Sequence, residues 1–423
     1  MKIRVILSFL FLILFLQSQA MYLLIPMDDV QKDHLKSYGI AYWVLQKDVE
    51  VKWLLNYRGG SFLMQHHPEI ENECIIRGVT YENIADAQAN AILSEIARPD
   101  VNQDAVSMTK APKIAVYSPP NKQPWDDAVT LVLTYAEIPY DILYDEEILS
   151  GKLSEYDWLH LHHEDFTGQH GKFWRTYQHM PWYQQEVKID NELAQKMGFL
   201  KVSEMKSFVS REIEKYVQNG GFLFAMCAAT DTYDISLAAT GIDICQPMFD
   251  GDPMDPDANE KLDFKRTFAF ENFKLEKDPN VYEFSNIDAT QTRSTVHHVV
   301  RENDYFTLFE FSAKWDPIPT MLCQNHRNLI KGFMGQTTAY RKEVLKSNVL
   351  VMGENKPANE ARYVHGEKGK GFWTFYGGHD PEDYQHLIGD PPTDLSLHPN
   401  SPGYRLILNN ILFPAAKKKK RKT

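Results

Sequence analysis

The chain has 423 residues, 43% of them apolar and 12% aromatic, and a formal net charge of −12. That is enough apolar material for one large or two ordinary domains with a real core. Lys2 and Arg4 contribute +2 and the tail Lys417-Lys418-Lys419-Lys420-Arg421-Lys422 contributes +6, which leaves −20 for the body. An acidic body argues against a nucleic-acid-binding surface.

Residues 1–20 read as a secretory signal peptide: a charged n-region (Lys2, Arg4), an apolar h-region over 5–16, and Ser18-Gln19-Ala20 before the cleavage point. The h-region is too short for a bilayer core of ~30 Å, and nothing later reaches the span a membrane helix needs. The expectation is an exported protein, periplasmic or secreted, that begins at Met21 and has no integral membrane segment. The basic tail, 417–423, reads as a solvated end. Cys74, Cys227, Cys245 and Cys323 show no CxxC spacing, which excludes a zinc ribbon and a disulfide scaffold, although export allows one or two bridges.

The first elements form a β-α-β opening: a strand over 22–26, a helix over 31–46 with Asp28 and Asp29 placed to cap it, and a strand over 51–57. A helix over 81–96 follows. Residues 97–112 are polar and carry two prolines, so they read as the linker that closes an N-terminal α/β subdomain, 21–111. A second opening has a strand over 113–117, a helix over 125–137, and strands over 140–144 and 156–162. Met205, Phe208, Val209, Ile213, Tyr216 and Val217 recur at helical spacing, with Ser203 as N-cap and Asn219-Gly220 as the stop. A short apolar strand, 222–226, then runs into Cys227, flanked by small residues. Residues 246–345 are charged and aromatic with short strand-like runs (266–270, 305–311), and read as an insertion or cap over the sheet. Strands over 349–352 and 371–376 return to it. Alternating strands and helices predict a parallel sheet covered on both faces, with ligands bound at the carboxyl ends of its strands.

Several polar groups converge on that edge. Cys227 is the candidate nucleophile, because a strand–turn–helix elbow exposes a residue and a helix N-terminus lowers a thiol pKa. His379, after a strand and two glycines, is the candidate base, with Asp380 or Glu382 to orient it. Cys227 is also small enough to serve only as a turn residue. Arg58-Gly59-Gly60-Ser61 offers backbone N–H groups to an anion or makes a tight turn. His162, His163 and Glu164 are candidate substrate contacts, as is Asp231 in the segment opening the next helix. Trp315 is a candidate sugar-stacking ring at the site. His160, His162 and His163, with Glu164, Asp165 and His170, raise a metal site, but without an HExxH-type spacing the reading is a buried strand face of hydrogen-bonded histidines. No metal or cofactor is expected.

Residues 220–232, 369–381, 402–412 and 156–162 resemble the elbow segment, closing strand, final helix and third strand of trehalose-utilisation (ThuA-like) proteins. Members of that family usually carry histidine where this chain has Cys227. The resemblance covers roughly 113–245 and 349–416 and implies a class I glutamine amidotransferase-like, flavodoxin-like fold spanning 112–416, with the insertion at 246–345. In the amidotransferases a Cys–His–Glu triad hydrolyses glutamine. This chain departs from them, with Ala225-Met226-Cys227-Ala228-Ala229 in place of G-x-C-x-G and His379-Asp380-Pro381-Glu382 in place of His-x-Glu. The whole chain also resembles exported proteins labelled asparagine synthetase B, yet it has neither the N-terminal cysteine nor the SGGxDS loop that such chemistry needs. The leading expectation is a Cys–His hydrolase of an amide or carbohydrate derivative. The alternative is a non-catalytic binding protein for an envelope saccharide or peptide. A Cys227 buried away from any cleft favours the second.

Overall fold

The computed structural model describes residues 21–121, 124–289, 304–316, 318–323, 327–384 and 387–416. The expected signal peptide, the basic tail and part of the insertion lie outside these residues.

The N-terminal part is α/β, but its sheet is antiparallel. It contains β1 (Met21–Ile25), α1 (His34–Gln46), β2 (Val51–Leu55), β3 (Ser61–Gln65), α2 (Pro68–Arg77), β4 (Glu82–Ala85), α3 (Asp86–Ile96) and β5 (Asp104–Met108). The strand order is β4-β1-β3-β2-β5. β3 lies between β1 and β2 and pairs antiparallel with both, so the expected β-α-β unit is split by a hairpin strand. The helix expected over 81–96 begins as β4, and the expected linker contains β5. The N-cap of α1 is Asp33, which accepts from the Lys36 N–H at 2.8 Å, rather than Asp28 or Asp29.

Among the described residues the main sheet has ten strands. β6 (Ile114–Tyr117), β7 (Asp141–Leu143), β8 (Trp158–Leu161), β9 (Phe222–Met226) and β15 (Gly371–Tyr376) are parallel and lie in the order β7-β6-β8-β9-β15. Beyond β15 the sheet turns antiparallel through β14 (Glu360–Lys368), β13 (Leu350–Asn355), β10 (Tyr305–Leu308) and β11 (Leu329–Lys331), while β12 (Tyr340–Arg341) pairs with β14. No strand forms at 266–270.

Side chains alternate between the two faces of the parallel strands. Trp158, Phe222, Phe224 and Met226 enter a core shared with α1, α4 (Ala128–Tyr135) and α9 (Pro402–Leu412). Leu159, Leu161, Leu223 and Ala225 enter the opposite core. That core is shared with α5 (Asp145–Leu149), α7 (Val202–Gln218) and α8 (Ala229–Ala238). α6 (Pro181–Lys196) lies outside α7. Strands buried on both faces read as near-continuous apolar runs, which is why β6, β8, β9 and β15 are legible in the sequence, whereas β7 lies at the sheet edge with Asp141 and Ile142 exposed.

The segment 246–345, read from the sequence as an insertion, does two things. It supplies β10, β11 and β12 to the sheet, and it covers the carboxyl ends of β9 and β15. The backbone N–H groups of Phe268, Ala269 and Phe270 donate to the fully buried Asp234 carboxylate on α8 at 2.7, 2.7 and 2.9 Å. Met334 O accepts from His379 N at 2.8 Å, and Thr337 O accepts from Gly378 N at 2.8 Å.

Candidate functional site

Cys227 follows β9 directly and has a left-handed backbone, φ 50°. A non-glycine residue rarely adopts that conformation without surrounding contacts that hold it. Here Cys227 N donates to Gly378 O at 3.1 Å, Ala229 N donates to His162 O at 2.8 Å, and Thr230 Oγ1 donates to Cys227 O at 2.7 Å. The sharp turn expected at this position is present, but its consequence differs. Cys227 is 1% exposed, and its Sγ accepts from the Gln336 N–H at 3.2 Å. Burial pushes the thiol up to about 11, opposite to the depressed value expected of an activated nucleophile. All four cysteines are buried free thiols.

His379 leaves β15 through Gly377 and Gly378 and is 1% exposed. Its Nε2 lies 3.4 Å from Asp126 Oδ1, and its ring centroid is 4.3 Å from that of His162. The carboxylate that meets the imidazole is therefore Asp126, which sequence reading assigned to the first turn of a helix. Glu382 instead accepts from Tyr384 OH at 2.8 Å and faces His398 Nδ1 at 3.2 Å. Asp380 accepts from the Glu382 N–H at 2.8 Å and closes the turn.

Asp127 caps α4, its Oδ1 accepting from Thr130 N at 2.8 Å. Its Oδ2 lies 3.2 Å from His160 Nε2 and 3.2 Å from His162 Nδ1. Burial alone would raise this carboxyl; the two imidazoles outweigh it and hold the group well below the usual carboxylate range. As expected from strand alternation, His160 and His162 share the face of β8 that carries Trp158.

A small cleft opens beside this cluster, between Pro119 after β6 and the segment after β8 that carries His163, Glu164 and Asp165. One wall is aromatic: the Trp125 ring lies 5.2 Å from His163, 5.3 Å from Phe173 and 5.3 Å from Trp182. The opposite side is a buried polar network. Lys206 Nζ is 2.8 Å from Asp145 and donates to the hydroxyls of Tyr117 at 3.0 Å and Tyr144 at 3.1 Å. Tyr144 OH donates to Asp190 at 3.0 Å, and Asp190 faces His170 Nδ1 at 3.4 Å. Burial, then Asp190, pushes the Glu186 carboxyl up to about 7. His170, Gly171 and Lys172 have successive φ values of 49°, 67° and 55°, a left-handed run at the cleft rim. Glu186 and Asp190 lie on α6, over which the sequence reading places no element, and Lys206 reads as one position of the ordinary amphipathic helix through Met205 and Val217, so none of them carried a signal for the site.

Of the other expected site residues, His163 and Glu164 line the cleft, whereas Arg58, Gly59, Gly60, Asp231 and Trp315 do not. Arg58 is held by Asp28 at 2.7 Å and Glu82 at 2.8 Å in the tight turn from β2 to β3. Gly59 and Gly60 are left-handed there, and a Cβ on Gly60 would fall 2.3 Å from Cys323 Sγ. Asp231 is fully buried and accepts from Thr337 Oγ1 at 3.0 Å, so it holds the insertion in place. Trp315 is 71% exposed on a segment tied to the N-terminal part by Ala313 N→Asn102 Oδ1 at 2.7 Å and Lys314 Nζ→Ile96 O at 2.7 Å.

Among the described residues no helix is long and apolar enough to cross a membrane. No family model matches the chain, and no curated protein matches it. Among solved structures, the chain is similar to the cytoplasmic protein STM3548 from Salmonella typhimurium, with 12% identity, a TM-score of 0.34, and coverage of 72% of this chain and 100% of that one. It is similar to the cytoplasmic protein STM1381 from Salmonella typhimurium LT2 at 11% identity and a TM-score of 0.35, again covering 72% and 100%. Gan42B, a GH42 β-galactosidase from G. stearothermophilus, is similar at 11% identity and a TM-score of 0.27, over 64% of this chain and 28% of that one. Likenesses this distant carry no information on ligand or activity.

Proposed function

We propose that the chain is an exported binding protein built on a ThuA-like, flavodoxin-like domain, and that it takes a small saccharide in the cleft beside His163. The parallel strands β7-β6-β8-β9-β15 read 2-1-3-4-5 in chain order, the order of flavodoxin-like sheets. In that order the topological switch point lies between β6 and β8, where such sheets bind ligands. The observation that carries the reading is the cleft at this point, lined by Trp125 and Phe173 together with Glu164, Asp165, Glu186 and Asp190. An aromatic face and a set of acceptor carboxylates suit the apolar face and the hydroxyls of a sugar. The burial of Cys227 supports a binder over a hydrolase acting through that thiol.

The test is titration of the purified protein with mono- and disaccharides, amino sugars and short peptides, followed by calorimetry and tryptophan fluorescence. Saturable saccharide binding that is lost in Trp125→Ala supports the reading. Peptide binding without saccharide binding, or binding unaffected by Trp125→Ala, removes it. One observation favours the hydrolase reading: the left-handed elbow at Cys227. Turnover of an aryl glycoside or an amide that disappears in Cys227→Ser would establish it in place of the binder.

A further inference from the structure

We propose that Asp127, His160 and His162 form a site for one divalent first-row transition cation of the zinc type, independent of what the neighbouring cleft binds. The argument starts from where the imidazole protons go. His160 Nδ1 lies 3.2 Å from Phe224 O, and His162 Nε2 lies 3.1 Å from His379 O. A carbonyl oxygen only accepts, so each ring uses an N–H on its carbonyl, and in the neutral ring the other nitrogen carries a lone pair. Those other nitrogens, His160 Nε2 and His162 Nδ1, each lie 3.2 Å from the same atom, Asp127 Oδ2, which is itself an acceptor. Both approaches are off hydrogen-bond geometry, and neither nitrogen has a hydrogen-bond partner among the described residues. Both histidines are 0% exposed, so bulk water does not reach them.

Three electron-pair donors therefore converge in a buried place where they would repel one another. A cation between them reverses that. With metal–ligand bonds of ~2.0–2.2 Å, tetrahedral ligand atoms stand roughly 3.3–3.6 Å apart, so the two separations of 3.2 Å need to open by only a few tenths of an ångström around an ion. The three ligand atoms all lie within 4.8 Å of one another. The surroundings also match a metal centre. A ligating histidine ordinarily donates its second N–H to a carbonyl or carboxylate, and both rings do so here. Asp127 is likewise fixed through its free oxygen by the Thr130 amide. Two imidazoles and a carboxylate suit zinc, iron(II) or manganese rather than a soft cuprous ion. The competing account places one proton on the cluster, at His162 Nδ1, so that a single buried imidazolium faces the Asp127 carboxylate while His160 stays neutral.

The full chain is unfolded in chelator and refolded with Zn²⁺, with Co²⁺, or with neither, and is then gel-filtered. Metal is counted by elemental analysis. The proposal expects one metal per chain in the loaded samples and a cobalt spectrum with d–d bands but no thiolate charge-transfer band. Asp127→Asn and His160→Gln, each checked for native circular dichroism, should weaken zinc binding by at least about 100-fold, the upper range for losing even an outer-shell partner. Should a variant fail to fold, X-ray absorption of the loaded wild-type protein decides the matter: nitrogen and oxygen scatterers alone sustain the site. Refolded wild-type chain carrying no stoichiometric metal overturns the proposal in favour of a His162 imidazolium paired with Asp127. So does a sulfur scatterer, which would move the ligand set to Cys227, or a folded Asp127→Asn variant that binds as tightly as wild type.

Discussion

The sulfur of Cys227 accepts a hydrogen bond from the Gln336 backbone amide at 3.2 Å, so the residue at the sheet's elbow is covered by the chain's own insertion. The left-handed turn lifts Cys227 to the carboxyl edge as a nucleophile elbow does, and the insertion then takes the place of solvent. With the thiol pushed up to about 11 by burial, almost none of it is thiolate at neutral pH. The native protein should therefore show Cys227 alkylated more slowly by iodoacetamide than the urea-unfolded chain, read by mass spectrometry at the peptide carrying it. Faster labelling in the folded protein would contradict this.

Gly335 is the residue that lets the insertion lie so close. A Cβ built there would stand 2.8 Å from His379 N and 3.1 Å from Cys227 Sγ, and the backbone nitrogen cannot move aside cheaply. Gly335→Ala should cost about 1–3 kcal/mol through overpacking. It should also raise the Cys227 labelling rate by lifting the covering segment. A variant with wild-type stability and wild-type labelling would show that the two segments are not in close contact.

Lys206 and Asp145 form a buried ion pair at 2.8 Å, with side-chain exposures of 4% and 0%. Removing one partner leaves an uncompensated buried charge, so Lys206→Met alone should destabilise the chain by roughly 3–5 kcal/mol. The double variant Lys206→Met, Asp145→Leu should recover part of that loss, because two apolar groups leave no charge behind. Denaturant unfolding of the four forms completes the cycle. A double variant as unstable as the sum of the singles would mean that Tyr117 and Tyr144, rather than Asp145, hold the lysine.

The parallel strands β6, β8, β9 and β15 were readable because burial on both faces leaves short apolar runs bounded by turn residues. The hairpin strand β3 was not, since Ser61 to Gln65 follows Arg58-Gly59-Gly60 and merges with the loop those residues announce. β14 was hidden by Glu360, Arg362, His365 and Glu367, whose polar side chains break the strand pattern. Arg362 is fully buried against Asp304 at 2.9 Å, a pairing no local window can display. In the candidate site, strand alternation put His160 and His162 on one face correctly. Asp126 and Asp127 were missed for a physical reason: an acid before an apolar helix has an adequate explanation as a cap, and Asp127 is a cap. Only the fold shows that its second oxygen turns toward the histidines of β8.

Lys172 joins the left-handed rim of the cleft to the insertion, its Nζ donating to Glu276 O and Glu283 O at 2.9 Å each. It is 3% exposed, and burial pulls its ammonium down to about 8 despite the nearby acids Glu276, Asp165 and Glu283. The sign follows from proton counting. Between the folded value near 8 and the ordinary lysine value of 10.5, the unfolded chain holds this proton more often than the folded one, so stability rises with pH. Below about pH 8 the buried ammonium exerts its full cost, and above about pH 10.5 the cost is gone, a difference of about 3 kcal/mol. The neighbouring acids do not confuse the window, since carboxylates as a class titrate well below it. Relative to Lys172→Met, which removes the titrating group, the wild-type protein should gain stability steadily across that range in urea unfolding. If the difference between the two stays flat or runs the other way, the ammonium is not held at the cost its burial implies, and the tether to the insertion carries a fully stabilised charge.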